Sequence, residues 1–161
     1  MKLTYRTFLP LLLGLLPCVS VRADFRTSQS ADLIIGGIEP EGQVYASDIA
    51  VDTATQKVFV SDRYTHRVLR FSSQAALQDG GMAEAVFGAA NFSDKTPGTS
   101  ATKLNAPQGI CMDHGGRLWV ADTLNNRVLR FDNALTAPSG AAASVVLGQP
   151  NFTSTVTATQ A

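Results

Sequence analysis

Few residues of this 161-residue chain have the type and spacing that catalysis or metal binding requires. Neither His66 nor His114 has a second histidine, cysteine or carboxylate at a metal-ligand spacing, so we interpret both as solvated loop residues. Asp48 is a candidate cation ligand, but a single carboxylate does not make a metal site. The chain has no G-x-S-x-G elbow, phosphate-binding loop or H-E-x-x-H sequence, and we therefore predict no catalytic residue and no cofactor.

The clearest charged pattern recurs at an interval of sixty residues. Residues 57–71 (KVFVSDRYTHRVLRF) and 117–131 (RLWVADTLNNRVLRF) are identical at seven of fifteen positions without a gap. Unrelated segments of this length would share about one identity. Asp and Asn side chains bond to the backbone of their own turn, and an arginine nearby can bond to the Asp. We therefore predict a structural role in the turns for Asp62, Arg67, Asp122, Asn125, Asn126 and Arg127.

These charged residues lie between two apolar segments, which predicts a strand, a tight turn and a second antiparallel strand. The apolar residues form runs, at 58–60 and 118–121, rather than alternating with polar ones. A strand that is apolar on both sides needs cover on both faces of its sheet. A repeat of this kind cannot bury both faces alone, so the sequence predicts stacked sheets.

The pattern predicts four short strands in each unit. They lie at 47–52, 57–62, 67–71 and 84–87 in the first unit, and at 108–113, 117–122, 127–132 and 143–147 in the second. A helical turn is expected over 74–77 and a leading strand over 33–36. Four strands in a repeat of about sixty residues predict a β-propeller blade. The period alone also fits a sandwich, but the two-sided apolar strands favour stacked blades.

The first 23 residues have the features of a secretory signal peptide. Lys2 and Arg6 precede an apolar run over 8–16, and small residues stand at the two positions that a signal peptidase inspects before a cut after Ala23. The run is too short to span a membrane. We expect a secreted or periplasmic protein with no transmembrane segment after cleavage, in which Cys111 is the only cysteine and a small buried side chain.

The second unit resembles the NHL-repeat pattern in three stretches: 107–113 (PQGICMD), 118–122 (LWVAD) and 125–131 (NNRVLRF). The first unit departs from it, because Asp48 stands near the expected Pro/Gly start and Thr65-His66 replaces the Asn-Asn pair. The resemblance covers about residues 44–152 and implies a six-bladed propeller. Members of this family include secreted binding proteins, ligase-associated substrate receptors, RNA binders and some lyases, so the resemblance implies a fold rather than an activity.

We therefore predict an all-β chain with two four-stranded antiparallel blades of an incomplete, six-bladed type of β-propeller. The expected organisation is a signal peptide (1–23), a lead-in with one outer strand (24–43), a first blade (44–92), a linker loop (93–103), a second blade (104–152) and the start of a truncated next repeat (153–161). Because a propeller ring needs four or more blades, we expect either the N-terminal part of a longer protein or a truncated gene product.

The predicted function is that of an exported binding or scaffold module whose loops hold a protein or a glycan. The net charge is zero, which argues against DNA, and acids interspersed among the arginines disfavour RNA. The alternative is part of a metal-dependent propeller lyase or hydrolase. Lyase-like and lactonase-like propellers hold metals in the central channel, where Asp48 is the candidate ligand, and most of that site would lie in missing blades. The sequence thus leaves enzymatic activity open and favours a module without it.

Overall fold

A computed structural model describes residues 44–77 and 81–157 of the chain. The predicted signal peptide, the leading strand at 33–36 and the last four residues lie outside this part. The described chain contains eight strands and two short 3-10 helices. None of the helices in these ranges has the length and apolar character needed to traverse a bilayer.

The strands form two four-stranded antiparallel sheets in which each strand pairs with the next along the chain. The first sheet consists of β1 (Ala46–Val51), β2 (Val58–Asp62), β3 (Arg67–Phe71) and β4 (Ala85–Phe87). The second consists of β5 (Pro107–Met112), β6 (Leu118–Asp122), β7 (Arg127–Phe131) and β8 (Val145–Leu147). The 3-10 helices are Gln74–Ala76 and Thr123–Asn125. Each sequence-predicted strand of the two units is present, with its ends displaced by two residues at most.

Side-chain hydrogen bonds within the turn explain where the chain reverses between the first and second strands of each sheet. Asp52 accepts hydrogen bonds from the amide and hydroxyl of Thr55, at 2.7 and 2.6 Å. Asp113 accepts one from the amide of Gly115 at 2.9 Å in the equivalent turn. In the turns between the second and third strands, His66 and Asn126 both adopt the left-handed conformation, with φ of 57° and 51°.

The two sheets stack face to face around a shared apolar core. Phe87 of β4 lies between Phe59 of β2 and Phe131 of β7, with ring centroids 6.1 and 5.3 Å away. Gly88 has a φ of +80°, and a Cβ there would lie 2.3 Å from the side chain of Leu104, so only glycine allows the chain to pass this close. The other large buried residues of this core are Val68 of the first sheet and, from the second, Ile110, Leu118, Val120 and Leu129.

The two sheets differ in how much of their surface is covered. The first sheet has a second apolar cluster on its other face, and every residue of β2 and β3 is buried. In β6, by contrast, Leu118 and Val120 are buried while Trp119 and Ala121 are partly exposed. Within the described residues, the second sheet is fully covered only on the side that faces the first sheet. The prediction of cover on both faces is therefore confirmed for the first sheet and not for the second.

Candidate functional site

Asp122 and Arg127 form a buried ion pair below the turn that joins β6 and β7. The Arg127 Nε lies 2.7 Å from the Asp122 Oδ2, and both side chains are fully buried. The amide of Asn125 donates to the same carboxylate oxygen at 2.8 Å. The Arg127 guanidinium also donates to three backbone carbonyls of neighbouring loops: Ser100, Lys103 and Phe152. Through these bonds the ion pair holds the turn to the loops around it.

The equivalent pair in the first sheet is looser. The Arg67 Nε and the Asp62 Oδ2 are 3.5 Å apart, although both side chains are almost completely buried. Thr65 stands where the second turn has Asn125, and a threonine has no amide group to donate to the carboxylate. The other carboxylate oxygen is bonded alike in both turns: Asp62 Oδ1 accepts from the amide of Tyr45 at 3.2 Å, and Asp122 Oδ1 from that of Asn105 at 2.6 Å.

His66 joins the two sheets, so the expectation of a solvated loop histidine is wrong for this residue. Its ring is partly buried, and its Nδ1 accepts a hydrogen bond from the amide of Ala106 at 3.0 Å. Ala106 itself has a left-handed φ of 52°. His114, by contrast, is exposed as expected. Sequence reasoning missed the contact of His66 because its partner is 40 residues away.

The stability of the sheet junction is expected to depend on the protonation of His66. Burial lowers the pKa of His66 below its ordinary value of about 6.5; Asp62 and Asp122 oppose this shift, and Lys103 adds to it. The unfolded chain then binds the proton more readily than the folded one. Neutral His66 therefore makes its full contribution to the free energy of unfolding above about pH 6.5. This contribution is lost as the pH falls from there through the pKa of His66 in the folded chain.

The measurement is the free energy of unfolding in urea between pH 7.5 and 5, for the wild type and two variants. His66→Asn should flatten the decline, because Asn126 already occupies the equivalent left-handed position and an amide side chain does not titrate in this range. His114→Asn is the matched control and should retain the wild-type slope. Identical slopes for the wild type and His66→Asn would contradict the assignment.

Asp48 lies at the junction of the sheets and bonds to the backbone of both. Its Oδ2 accepts from the amide of Ile110 and its Oδ1 from the amide of Ile49, each at 2.9 Å. Among the described residues, no three His, Cys, Asp or Glu side chains are close enough together to hold a metal ion. The role of Asp48 as a cation ligand stays a prediction.

A shallow, open hollow of about 300 Å³ lies on the face of the second sheet that points away from the first. Trp119, Ala121 and Val128 form its apolar lining, with Asp48 among the lining residues. Cys111 also lines the hollow and is only partly buried, so the expectation of a buried cysteine is not met. It was expected to be buried because its strand is apolar, but it points to the uncovered face.

Large apolar side chains are exposed at the end of the sheets where the turns between second and third strands lie. Tyr64 and Leu124 occupy equivalent turn positions and are 66% and 59% exposed. The ring of Tyr45 meets that of Tyr64 edge-on at 4.7 Å, and the Arg63 guanidinium lies 5.9 Å from the Tyr64 ring. We call these four residues the turn rim. The turn rim could have been found in the sequence from the part of the turn at which the two copies differ, which reads RYTH at 63–66 and TLNN at 123–126.

Arg63 is the one arginine in the described ranges without an ion pair. The other five are each paired with a carboxylate: Arg67, Arg70, Arg117, Arg127 and Arg130. Arg63 is exposed, and its guanidinium lies beside the ring of Tyr64. A guanidinium without an ion pair can bind an external partner without first breaking a bond to a carboxylate.

The second unit matches a known family, and part of the chain is similar to a solved structure. A luciferin-regenerating enzyme matches with 19% identity and a TM-score of 0.44, over 67% of this chain and 31% of that one. The chain thus spans less than a third of that structure. A comparison with curated protein sequences finds no match. The family model of the NHL repeat matches residues 104–131, which include β5, β6 and β7. The second unit therefore carries an NHL repeat, and the two stacked four-stranded sheets are β-propeller blades.

Proposed function

We propose that this chain is an exported NHL-repeat propeller protein that acts as a binding or scaffold module for a protein or a glycan. The composition of the first 23 residues supports export, since it has the charged start and short apolar run of a signal peptide. The repeat and the blade architecture support a binding or scaffold type of module and no particular chemistry.

The turn rim is the observation that carries this proposal. The charged turn residues that the two copies share form buried pairs that hold the turns, Asp62 with Arg67 and Asp122 with Arg127. The turn positions that differ between the copies are the ones that expose Arg63, Tyr64 and Leu124. A rigid scaffold with varied, exposed loop tips is the arrangement by which loops bind partners. Tyr and Arg are also the residue types that contribute most to interfaces.

The test compares ligand retention by the immobilised wild-type chain and by the double variant Tyr64→Ala/Leu124→Ala. The probes are a glycan array and the exported proteins of the source cells. We expect a ligand that the wild type retains and that the double variant binds at least about tenfold more weakly, since losing two exposed anchors costs more than about 1.4 kcal/mol.

Met82→Ala is the matched control, because Met82 is 69% exposed and lies outside the turn rim. It should retain the ligand as the wild type does. Finding no ligand for the wild type, or equal retention by the double variant, would count against the proposed function. Circular dichroism of each variant separates loss of binding from loss of fold.

A further inference from the structure

Two consecutive residues that lie directly before β5, Asn105 and Ala106, hold both turns of the turn rim. The amide of Ala106 donates to the Nδ1 of His66 in the first turn at 3.0 Å. The carbonyl of Asn105 accepts from the amide of Leu124 in the second turn at 3.1 Å. The two turns are thus fixed side by side, and a ligand that binds their exposed tips does not have to order them first.

Tyr45 and Arg63 are attached to the same surface. The amide of Arg63 donates to the carbonyl of Tyr45 at 3.1 Å, and the ring of Tyr45 packs edge-on against that of Tyr64. The guanidinium of Arg63 lies 5.9 Å from the centroid of the Tyr64 ring. A guanidinium beside an aromatic ring is held by cation–π attraction and keeps its N–H donors for a hydrogen-bond acceptor.

The turn rim carries one exposed positive charge, that of Arg63, and no negative charge. The two turns between second and third strands contain just two carboxylates, Asp62 and Asp122, and both are completely buried beside an arginine of their own turn. In the adjoining loop, the carboxylate of Asp94 is paired with Lys103 at 2.7 Å. The charge of the turn rim is therefore complementary to an anionic ligand.

We infer that the turn rim binds a segment of a partner protein in which a carboxylate lies next to an apolar side chain. This inference rests on the proposed function and narrows its ligand from a protein or a glycan to an acidic peptide. The carboxylate pairs with the guanidinium of Arg63, whose planar fork matches two carboxylate oxygens. The apolar side chain covers the exposed side chains of Tyr64 and Leu124.

A glycan is a poorer match, because the turn rim offers few polar groups. Each sugar ring carries several hydroxyl groups, which exchange their bonds to water for bonds to side chains when the sugar binds. The side chain of Leu124 has no polar atom, that of Arg63 can only donate, and each tyrosine has a single hydroxyl group. An aliphatic side chain of a peptide, by contrast, gains from being buried against Leu124.

A single guanidinium also matches a carboxylate better than a phosphate group. A phosphate on a side chain carries nearly two negative charges, and phosphopeptide sites use clusters of arginines. The other five arginines in the described ranges are already paired with carboxylates of this chain. They cannot complete such a cluster without breaking those pairs.

The experiment compares two libraries of short capped peptides as ligands of the immobilised full chain. Each peptide of the first library has one glutamate between varied aliphatic and aromatic neighbours, and its twin in the second library has glutamine instead. We expect the chain to bind glutamate peptides at least about fivefold more tightly than their twins, because only the charged carboxylate pairs with a guanidinium. Uronate and neutral oligosaccharides are tested in parallel.

Three variants separate the charged part of the turn rim from the apolar part. Arg63→Gln should bind each glutamate peptide no more tightly than its glutamine twin. Leu124→Ala should weaken the binding of both twins and preserve the ratio between them. Arg117→Gln is the matched control and should leave both affinities unchanged, because the side chain of Arg117 is 44% exposed and lies outside the turn rim.

The outcomes distinguish a failure of this inference from a failure of the proposed function. Equal binding of the twins by the wild type, or a preference for glutamate that Arg63→Gln retains, overturns the inference and leaves the proposed function standing. Binding of uronate oligosaccharides without the peptides overturns it in favour of an acidic glycan. If neither set binds but the chain retains an exported protein, only the inference fails; if the chain retains nothing, both fail.

Discussion

Replacing Arg127 with methionine is expected to lower the free energy of unfolding by about 3–5 kcal/mol. The substitution leaves the carboxylate of Asp122 buried without its cationic partner, and both side chains of the pair are fully buried. It also removes the donors for the carbonyls of Ser100 and Lys103, each 2.9 Å from the guanidinium. Urea denaturation followed by circular dichroism gives the value directly.

The matched control is Arg117→Met. Arg117 pairs with Asp113 at the same distance of 2.7 Å, but its side chain is 44% exposed, so its loss should cost only about 0–1 kcal/mol. The double variant Asp122→Leu/Arg127→Met should recover part of the lost stability, because it removes the stranded charge as well. A loss below about 1 kcal/mol for Arg127→Met would show that the pair is hydrated in solution.

Replacing Phe87 with alanine is expected to cost about 3–5 kcal/mol of unfolding free energy. Phe87 is completely buried and its ring contacts a phenylalanine of each sheet, Phe59 and Phe131. Removing it leaves a cavity at the point where the two sheets meet, and the strands around it are held in place by their own hydrogen bonds. The free energies of unfolding of the wild type and of Phe87→Ala are compared by urea denaturation at one fixed pH.

Leu147→Ala is the natural control, because Leu147 occupies the position of Phe87 in the second sheet. Leu147 is 48% exposed, and its replacement should cost less than about 1 kcal/mol. Equal losses at the two positions would mean that the sheets do not stack as described.

The strands of this fold could be predicted from the sequence. The strands at 58–62 and 118–122, and the strands that follow them, were predicted within two residues. The antiparallel pairing and the four-stranded units followed from the same pattern. These features depend on apolar runs, turn residues and a repeat, all of which lie within a few residues of the strands that they specify.

Part of the candidate site was also visible in the sequence. Asp122 and Arg127 are five residues apart across one turn, so their pairing follows from local geometry. The carbonyl of Ser100, to which Arg127 also bonds, comes from a loop 27 residues away and could not be inferred. The difference in spacing between the two Asp–Arg pairs, 2.7 against 3.5 Å, likewise appears only when their surroundings are known.

Which side chains are covered is visible only in the folded chain. Phe59 and Trp119 occupy the same place in two equivalent strands, yet one is completely buried and the other is partly exposed. His66 was expected in solvent and instead accepts a hydrogen bond from Ala106. Strand formation depends on neighbouring residues. Burial and hydrogen-bond partners depend on residues far away in the chain, such as the 27 positions between Ser100 and Arg127 or the 40 between His66 and Ala106, and a sequence pattern does not bring these together.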